Sequence, residues 1–320
     1  MIVKPFQKTL DAEGLNSLAT RLRVSHPMHG KMKKKAKNKA AGDIGEEVVM
    51  RGLEKLKLPY TFHVYHNISL YSEKLIQMDI LIVTPHYALI LEVKNFKDTV
   101  EITTNPSQMV QTLANGVINV CRSPESQVEE YIYQLTQFFK QFKIHLPVLG
   151  AVVFAFETLH IINSSNRTTV LLQNELIPYL RAIKTGNPFL TQPQLERIKN
   201  LLLQKSKHYH PFPLSEYYSI DPKDLITGVI CQNCAYIGMK KYKRRWICPK
   251  CNATSQTAHQ YTIKEYFLIA RKTISNKECR EFLQLNNNHE ATRIMKKANL
   301  TKIGKSSSTK YQMIFRDKPL

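Results

Sequence analysis

The sequence predicts an α/β fold followed by two small C-terminal units, and three observations lead to this prediction. Strand-like and helix-like apolar patterns alternate between residues 41 and 204, which is typical of a mixed sheet flanked by helices. Two CxxC pairs follow within residues 228–260, a spacing that is typical of a small metal-bound unit. Residues 261–320 combine two helical patterns with two short extended segments. A chain of 320 residues is long enough for two or three units.

The α/β pattern begins with a helix and a hairpin. Apolar residues at helical spacing predict a helix that starts near Gly42 and is ended by Pro59: Ile44, Val48, Val49, Leu53 and Leu56. Two strands are predicted at Ile76–Val83 and Ala88–Lys94, joined by the turn TPHY. A second helix has one apolar face, formed by Val128, Tyr131, Leu135, Phe138, Phe139 and Phe142. The stretches LPVLGAVVFAF and TVLLQNELIPYL predict a buried strand and then a strand that leads into a helix.

Composition divides the rest of the chain. A run of six lysines, KMKKKAKNK, predicts a mobile basic arm, and a stretch rich in proline and aromatic residues predicts a linker. The predicted divisions are a basic N-terminal arm (1–40), the α/β domain (41–204), a linker (205–227), the four-cysteine unit (228–260) and a C-terminal helical unit (261–320).

The charge is unevenly distributed along the chain. The formal net charge is +21, and residues 205–320 hold 22 Lys/Arg against 8 Asp/Glu. Lysine and arginine that neutralise phosphates release condensed counterions, so a nucleic-acid partner is the simplest explanation. A generic basic surface or affinity for a membrane surface is the alternative.

The same sequence predicts no membrane span, because it has no run of about 18 apolar residues. Its first residues lack the apolar core of a signal peptide. The paired cysteines suit a metal site in a reducing compartment better than a disulfide framework, which predicts a cytoplasmic protein.

Three ionisable residues interrupt the apolar hairpin. The turn is centred between Pro85 and His86, so facing residue numbers sum to 171 in a simple antiparallel hairpin. Asp79 then faces Glu92, and Lys94 lies on the same side of the sheet.

Two facing carboxylates repel each other unless a cation lies between them. Mg²⁺, or Mn²⁺, prefers a few carboxylate oxygens with water and phosphate oxygens, so Asp79 and Glu92 are candidate ligands. Lys94 could position a water and offset transition-state charge, which is the chemistry of phosphodiester hydrolysis. A solvated edge strand, or a charge cluster balanced by Lys94, is the alternative.

Four motifs occur in an order that resembles a known family. They are Gly42-x-x-Gly45-Glu46, Gln77-Met78-Asp79, Glu92-Val93-Lys94-Asn95 and Pro124-x-x-Gln127. Over residues 41–155 they resemble the nuclease-related domain (NERD), a family similar to the PD-(D/E)xK nucleases. The resemblance implies a restriction-endonuclease-like core. Together with the C-terminal units it predicts a metal-dependent nuclease, with DNA as the expected substrate, although the residues alone do not distinguish DNA from RNA.

The resemblance also implies a role for each of five residues. Asp79 and Glu92 would be metal ligands, Lys94 the catalytic lysine, Glu46 a helix acid that completes or orients the metal site, and Gln127 an auxiliary polar group. Helical geometry favours Glu46, which flanks the apolar face, over Glu47, which points away from it. The alternative for Glu46 is an acid favoured by the helix dipole. The alternative for Gln127 is a polar residue in a first helical turn.

The four cysteines have the spacing of a structural zinc site. Cys231, Cys234, Cys248 and Cys251 can close a tetrahedral thiolate site around Zn²⁺, which leaves no open catalytic position. A segment of this size has too little core to fold without the metal. A redox-active CxxC is the alternative.

Basic and aromatic residues lie between the two cysteine pairs. They are Lys240, Lys241, Tyr242, Lys243, Arg244, Arg245 and Trp246. The basic groups could track phosphates while the rings stack on bases. The segment resembles the zinc ribbons of bacterial type I topoisomerases. A folding module or a protein-binding knuckle is the alternative.

The last unit has the order of a winged helix. Ser275 and Glu278 form a capping-box pattern, and Asn287 or Asn288 can cap the next helix. The turn GKSSSTK then joins two extended segments. Candidate nucleic-acid contacts are Arg293, Lys296 and Lys297 on the second helix, with Lys305 and Lys310 in the wing. A helical protein-interaction domain is the alternative.

Together these features predict a metal-dependent nuclease with nucleic-acid-binding modules. Two other classes stay open. One is a non-catalytic DNA-binding or regulatory protein with a degenerate nuclease fold, and the other is an interaction protein that uses its zinc and winged-helix units to hold partners.

Overall fold

A computed structural model describes residues 1–164, 167–206, 211–305 and 308–315. Within these ranges the chain forms two compact units. The first unit contains residues 1–8 and 40–206, and the second contains residues 9–39 together with those from 211 onward.

The helices are α1 (Leu10–Arg21), α2 (His29–Leu53), α3 (Pro124–Gln141), α4 (Leu176–Ala182), α5 (Gln192–Lys205), α6 (Leu214–Tyr217), α7 (Ala258–Ile269), α8 (Asn276–Leu283) and α9 (Asn288–Lys297). The strands of the first unit are β1 (Ile2–Lys4), β2 (His63–Tyr71), β3 (Leu75–Val83), β4 (Ala88–Lys94), β5 (Thr99–Thr104), β6 (Ser107–Thr112), β7 (Ile118–Arg122), β8 (Val148–Phe154), β9 (His160–Asn163) and β10 (Thr169–Leu172). The strands of the second unit are β11 (Val229–Ile230), β12 (Ile237–Tyr242), β13 (Arg245–Ile247), β14 (Thr254–Ser255), β15 (Ile274–Ser275), β16 (Thr301–Ile303) and β17 (Lys310–Gln312). Of the helices described, none has the length and apolar character that a membrane crossing requires.

A mixed sheet forms the centre of the first unit, which confirms the predicted α/β class. Its strand order in the described residues is β1-β2-β3-β4-β8-β10, with parallel pairs at both ends and antiparallel pairs around β3. Strand β4 lies between β3 and β8, and its apolar run is buried on both faces. Helices α2 and α4 cover one face, and α3 and α5 cover the other.

A second sheet of order β7-β6-β5-β9 was not predicted from the sequence. Strands β5, β6 and β7 lie between the predicted hairpin and the predicted second helix, where no strand is predicted. Strand β7 alternates exposed and half-buried side chains, so it buries little apolar surface of its own. The second sheet is stabilised by the pairing of β5 with β9, which lies more than 50 residues later in the chain.

Helix α3 packs directly on the sheet. Pro124 occupies its first turn, and the predicted apolar face is buried or half-buried against β3, β4 and β8. A Cβ on Gly150 of β8 would lie 2.2 Å from Val128 Cγ1. The helix can therefore come this close to the sheet only because residue 150 is glycine.

The second unit has one shared core, which differs from the predicted separate domains. Ile220 of the predicted linker, Trp246 of the four-cysteine segment and Phe282 of α8 belong to the same buried cluster. The reason is size, since a segment of about 30 residues cannot bury a core of its own. Four positions of the predicted linker, residues 207–210, lie outside the described residues.

The predicted mobile N-terminal arm forms regular secondary structure instead. Residues 2–4 form β1, which pairs with β2, and the lysine run forms the start of α2. Met32 within that run is fully buried in the core of the second unit. Lysine and alanine are good helix formers, so packing one apolar side chain is enough to favour helix over a mobile arm.

The predicted caps of the last two helices are confirmed. Ser275 and Glu278 form a capping box at α8, and the Asn287 side chain accepts hydrogen bonds from the first backbone N–H groups of α9. Strands β15, β17 and β16 form a small antiparallel sheet beyond these helices. Residues 306 and 307 of the predicted wing turn lie outside the described residues.

A buried ion pair joins distant segments of the second unit. The Arg21 guanidinium contacts the Glu265 carboxylate at 2.6 Å, and it also donates to the backbone carbonyls of Ile226 and Gly228. Both side chains are at most 1% exposed. Burial raises the pKa of Glu265, although Arg21 lowers it.

Removing one partner of this pair leaves a buried charge without compensation. We expect Arg21→Met to lower the free energy of unfolding by about 3–5 kcal/mol. Urea denaturation followed by circular dichroism measures this, with Arg23→Met as the matched surface control because Arg23 is exposed. A loss below about 1 kcal/mol would show that the pair contributes little.

Candidate functional site

The middle of β3 and the last residues of β4 bring the predicted acidic residues together. The backbone pairs of the two strands, from Ile80 with Leu91 to Val83 with Ala88, all sum to 171, which confirms the predicted register. In the turn, the Thr84 hydroxyl accepts hydrogen bonds from the N–H groups of the two residues before β4, and this fixes the loop length.

Asp79 lies one residue beyond the last of these backbone pairs. Its Oδ2 accepts a hydrogen bond from the backbone N–H of Val93 at 2.9 Å, so a side chain takes the place of the next backbone partner. Its carboxyl group lies beside that of Glu92. Burial raises the pKa of Asp79 well above its usual range, and the carboxylates of Glu92 and Glu46 raise it further.

Glu92 and Lys94 form a pair on the face of β4 that α3 covers. Glu92 is 2% exposed, and Lys94 Nζ donates to Glu92 Oε1 at 2.5 Å. Burial raises the pKa of Glu92, whereas Lys94 lowers it. Glu92 Oε2 is buried and has no hydrogen bond of good geometry from the described residues.

Gln127 links α3 to this pair. Its Oε1 lies 3.4 Å from Lys94 Nζ, and its Nε2 donates to the Tyr131 hydroxyl at 3.0 Å. Burial raises the pKa of Tyr131 to about 12, so its hydroxyl stays protonated at neutral pH. The predicted auxiliary residue therefore contacts the lysine of the pair.

Glu46 approaches the same region from α2. It is 7% exposed, whereas Glu47 is half-buried and pairs with Arg51, which agrees with the predicted helical geometry. Ile44, predicted to be on the apolar face, is 52% exposed instead.

His66 of β2 holds Glu46, and it is a site residue that the sequence motifs did not include. The His66 Nε2 atom lies 2.7 Å from Glu46 Oε2, and the Gln7 backbone N–H donates to His66 Nδ1 at 3.4 Å. With Nδ1 as the acceptor from Gln7, Nε2 is the ring nitrogen that donates to Glu46. The only sign of His66 in the sequence is a histidine within an apolar strand. That pattern does not indicate which residue the histidine contacts.

The carboxylates of Glu46, Asp79 and Glu92 are gathered but not tightly clustered. Across the described ranges, the four cysteines are the one group of three or more possible metal ligands whose atoms all lie within 4.8 Å of one another. Glu46 is turned toward His66 and Glu92 toward Lys94.

Gly45 allows α2 to reach the sheet at this point. A Cβ there would lie 2.9 Å from Asn95 Cβ and 3.3 Å from Ala155 Cβ. The Asn95 side chain also donates to the Ala41 carbonyl at 2.5 Å. The glycine therefore sets the distance between Glu46 and the strand ends.

We expect Gly45→Ala to destabilise the first unit by about 1–3 kcal/mol, because the added methyl group pushes the helix off the sheet. Gly42→Ala is the matched control, since no atom lies within 4 Å of its added Cβ and alanine favours helix by up to about 1 kcal/mol. Thermal denaturation of both variants measures the difference. Equal stability of the two variants would contradict the close contact.

The segment that carries these residues matches a known family. Residues 41–155 match the family model of the nuclease-related domain, NERD. The matched residues include the second half of α2, the hairpin formed by β3 and β4, and α3. All five predicted site residues therefore lie within it.

Comparisons with individual proteins add little to the match with the nuclease-related domain. The crystal structure of protein VC1899 from Vibrio cholerae is similar over 62% of this chain and 52% of its own length, at 10% sequence identity and a TM-score of 0.23. The chain thus spans about half of that protein, and a likeness this remote supports no statement about function. No curated protein matches the chain.

The four cysteines of the second unit form a cluster that is compatible with structural zinc. Cys231 Sγ lies 3.7 Å from Cys251 Sγ, and Cys234 Sγ lies 3.6 Å from Cys248 Sγ. A tetrahedron of sulfur atoms about 2.3 Å from Zn²⁺ has edges of about 3.8 Å, so the spacing fits.

The two cysteine turns have the same backbone geometry. Ala235 and Asn252 each follow the first cysteine of their pair by four residues, each has φ of +57°, and each N–H donates to that cysteine's carbonyl. The backbone N–H of Ala253 and the Asn233 amide lower the pKa of Cys251, whereas burial and the neighbouring thiols raise the pKa of Cys234.

Trp246 is a correction to the predicted nucleic-acid-binding residues. It is 1% exposed, its Nε1 donates to His259 Nδ1 at 3.0 Å, and Lys241 covers its ring. The side chain faces the core because the short strand β13 alternates inward and outward residues. It cannot offer a ring face to a base.

The other predicted basic residues lie at the surface. Exposed at the ribbon tip are Lys240, Tyr242, Lys243, Arg244 and Arg245, whereas Lys241 is half-buried. On α9, Arg293, Lys296 and Lys297 are exposed, and so are Lys305 and Lys310. These side chains are accessible to a partner of opposite charge.

Proposed function

We propose that the protein is a metal-dependent nuclease that hydrolyses phosphodiester bonds in nucleic acid, with DNA as the favoured substrate. One observation carries the proposal: Asp79 of β3 meets Glu92 and Lys94 of β4 where the backbone pairing of the two strands ends, inside the nuclease-related domain. A half-buried acid and a buried acid beside an amine match the needs of metal-assisted phosphodiester hydrolysis.

The residues present fit a hard divalent cation. Asp79 and Glu92 supply carboxylate oxygens, and Glu92 Oε2 is a buried oxygen that lacks a hydrogen bond of good geometry from the described residues. Oxygen donors of this kind suit Mg²⁺ or Mn²⁺. When bound, such a cation polarises a phosphoryl oxygen and lowers the pKa of a bound water.

The chain's own residues supply the other parts of the reaction. Lys94 is held between Glu92 and Gln127, and its ammonium group can donate to the attacking water and offset charge on the phosphoryl oxygens. Gln127 orients Lys94, and His66 fixes the direction of Glu46. Gly45 supports the arrangement by setting the position of α2.

The proposal is tested by titrating Mg²⁺ and Mn²⁺ with labelled single-stranded DNA, duplex DNA and RNA. We expect cleavage that requires one of these metals and falls at least about 100-fold in Asp79→Asn. Glu47→Gln, which changes an acid at the surface of the same helix, should cleave like the parent. If Asp79→Asn cleaves at the parent rate, the activity does not arise from this site.

A non-catalytic nucleic-acid-binding protein is the second candidate. It is favoured by the existing pairing of Glu92 with Lys94 and by the contact of Glu46 with His66. Binding of nucleic acid without metal-dependent cleavage on any of the three substrates would support it over the nuclease.

We further propose that the second unit binds the substrate. Its cysteine cluster would hold structural Zn²⁺, the ribbon tip (Lys240, Lys243, Arg244 and Arg245) would contact phosphates, and α8, α9 and the β16–β17 hairpin would act as a winged helix. Reduced cysteines at metal-binding distance support a cytoplasmic location.

A further inference from the structure

The first part of α2 presents lysines over most of its exposed surface. Lys31, Lys33, Lys34, Lys35 and Lys37 are exposed, whereas Met32 is fully buried and Ala36 is half-buried. At about 100° per residue, the five lysines span an arc of about 200° opposite Met32. The side chain of Asn38 lies within the same arc.

This arrangement is electrostatically unfavourable for the isolated protein. Residues 29–42 contain six lysines and no acid, and five lysine pairs lie three or four residues apart on the helix, where like charges repel. Lysines near a helix N-terminus also oppose the helix dipole. A polyanion that approached this surface would remove both penalties.

The lysines are also available for a partner. Lys31, Lys33, Lys34 and Lys37 form no ion pair with any acid in the ranges that the structure describes. Lys35 lies 5.5 Å from the centre of the Tyr218 ring, so it is partly engaged. Four cations thus remain to neutralise charge outside the protein.

The same helix face does not suit a membrane. A helix that binds in the membrane interface needs an exposed apolar face beside its basic residues. Here the apolar side chains of the segment, Met28 and Met32, pack against the core of the second unit. The exposed surface is cationic and polar, which fits the phosphodiester backbone of a nucleic acid.

We propose that the start of α2 is a nucleic-acid-binding surface, in which Lys31, Lys33, Lys34 and Lys37 contact backbone phosphates without reading sequence. The site is separate from the ribbon tip and from α9. It depends on a nucleic-acid substrate but not on cleavage.

The experiment measures binding of the full, zinc-loaded chain by fluorescence anisotropy without added Mg²⁺. The test variant is Lys31→Gln/Lys33→Gln/Lys34→Gln/Lys37→Gln, and glutamine preserves helix propensity. The control variant removes four exposed lysines elsewhere: Lys8→Gln/Lys55→Gln/Lys57→Gln/Lys184→Gln. Both variants lose the same net charge. Probes are duplex DNA, single-stranded DNA, duplex RNA and vesicles of anionic phospholipid.

We expect the slope of log Kd against log salt concentration to fall by about 2–4 in the test variant, since each lost phosphate contact removes about 0.9 on duplex DNA. At about 100 mM salt the affinity should fall about 10- to 100-fold. The control should keep the parent slope to within about 1. The probe that the parent binds with the lowest Kd at one salt concentration is the favoured nucleic acid.

An unchanged slope on all three nucleic acids, with parent-like helicity by circular dichroism, would overturn the proposal. So would a loss confined to the vesicles. If the test variant loses helicity, the double variant Lys33→Gln/Lys37→Gln decides, because it removes only two charges: the slope should fall by about 1–2, and a parent slope would overturn the proposal. If the cleavage assay alone fails, the proposed hydrolysis is excluded, whereas the binding of nucleic acid by the start of α2 is still supported by the anisotropy data.

Discussion

Lys94→Met is expected to lower the rate of phosphodiester cleavage by about 10²- to 10³-fold at saturating Mg²⁺. The methionine side chain keeps most of the volume of lysine but removes the ammonium group held between Glu92 and Gln127. If that group acts on the attacking water and the phosphoryl oxygens, the loss appears in the chemical step and not in substrate affinity. Single-turnover rates with excess enzyme measure it directly.

Binding and metal dependence separate this effect from a loss of structure. The Kd for DNA and the Mg²⁺ concentration for half-maximal rate should stay within about threefold of the parent. Lys57→Met is the control, since Lys57 is exposed beyond the end of α2. A Lys94→Met enzyme with the parent rate would exclude a catalytic role for this lysine.

Glu92→Gln should weaken metal binding, in contrast to Lys94→Met, which should slow the chemical step. Glutamine keeps the shape of the side chain but removes the charge, so a divalent cation should bind at least about 10-fold more weakly. Because the rate is then limited by metal occupancy, excess Mn²⁺ should restore part of it. Full restoration at the parent metal concentration would show that Glu92 is not a ligand.

Removing zinc from the cysteine cluster has the second largest expected effect. Structural zinc sites supply about 10–16 kcal/mol in small metal-bound segments, more than the ribbon can gain from its own packing. Cys251→Ser, or a chelator with the reduced protein, should therefore unfold β11–β14 and expose residues of the shared core of the second unit.

The single tryptophan reports this change. Trp246 is buried beside the cysteine cluster, so its emission should shift to longer wavelength when zinc is lost. Elemental analysis should give about one zinc per parent chain and none for Cys251→Ser. Cys121→Ser, outside the cluster on β7, should keep the zinc and the parent emission. A parent chain without zinc but with buried Trp246 would contradict the prediction.

Local patterns in the sequence were sufficient for the central hairpin and the capped helices. The turn before β4 sets the loop length, and a period of two then fixes which residues face each other, so the sequence alone places Asp79 opposite Glu92. The capping box at α8 is equally local, because its hydrogen bonds join residues three apart.

Residues that depend on distant partners could not be predicted in this way. His66 contacts Glu46 across 20 residues, and its ring is oriented by Gln7, which lies 59 residues before it in the chain. The sequence also suggested that Trp246 stacks on bases, whereas packing in the second unit buries it. The lysine run was predicted to be mobile, whereas one buried methionine favours a helix.

The sequence by itself thus determined the chemistry available to this protein: two acids and a lysine on one hairpin, four cysteines at zinc spacing, and a large excess of positive charge. The tertiary structure alone decided which of these groups are buried, paired or accessible. The physical reason is that periodicity and turn geometry act over a few residues, whereas burial and side-chain pairing are decided by segments that lie far apart along the chain and meet only in the folded state.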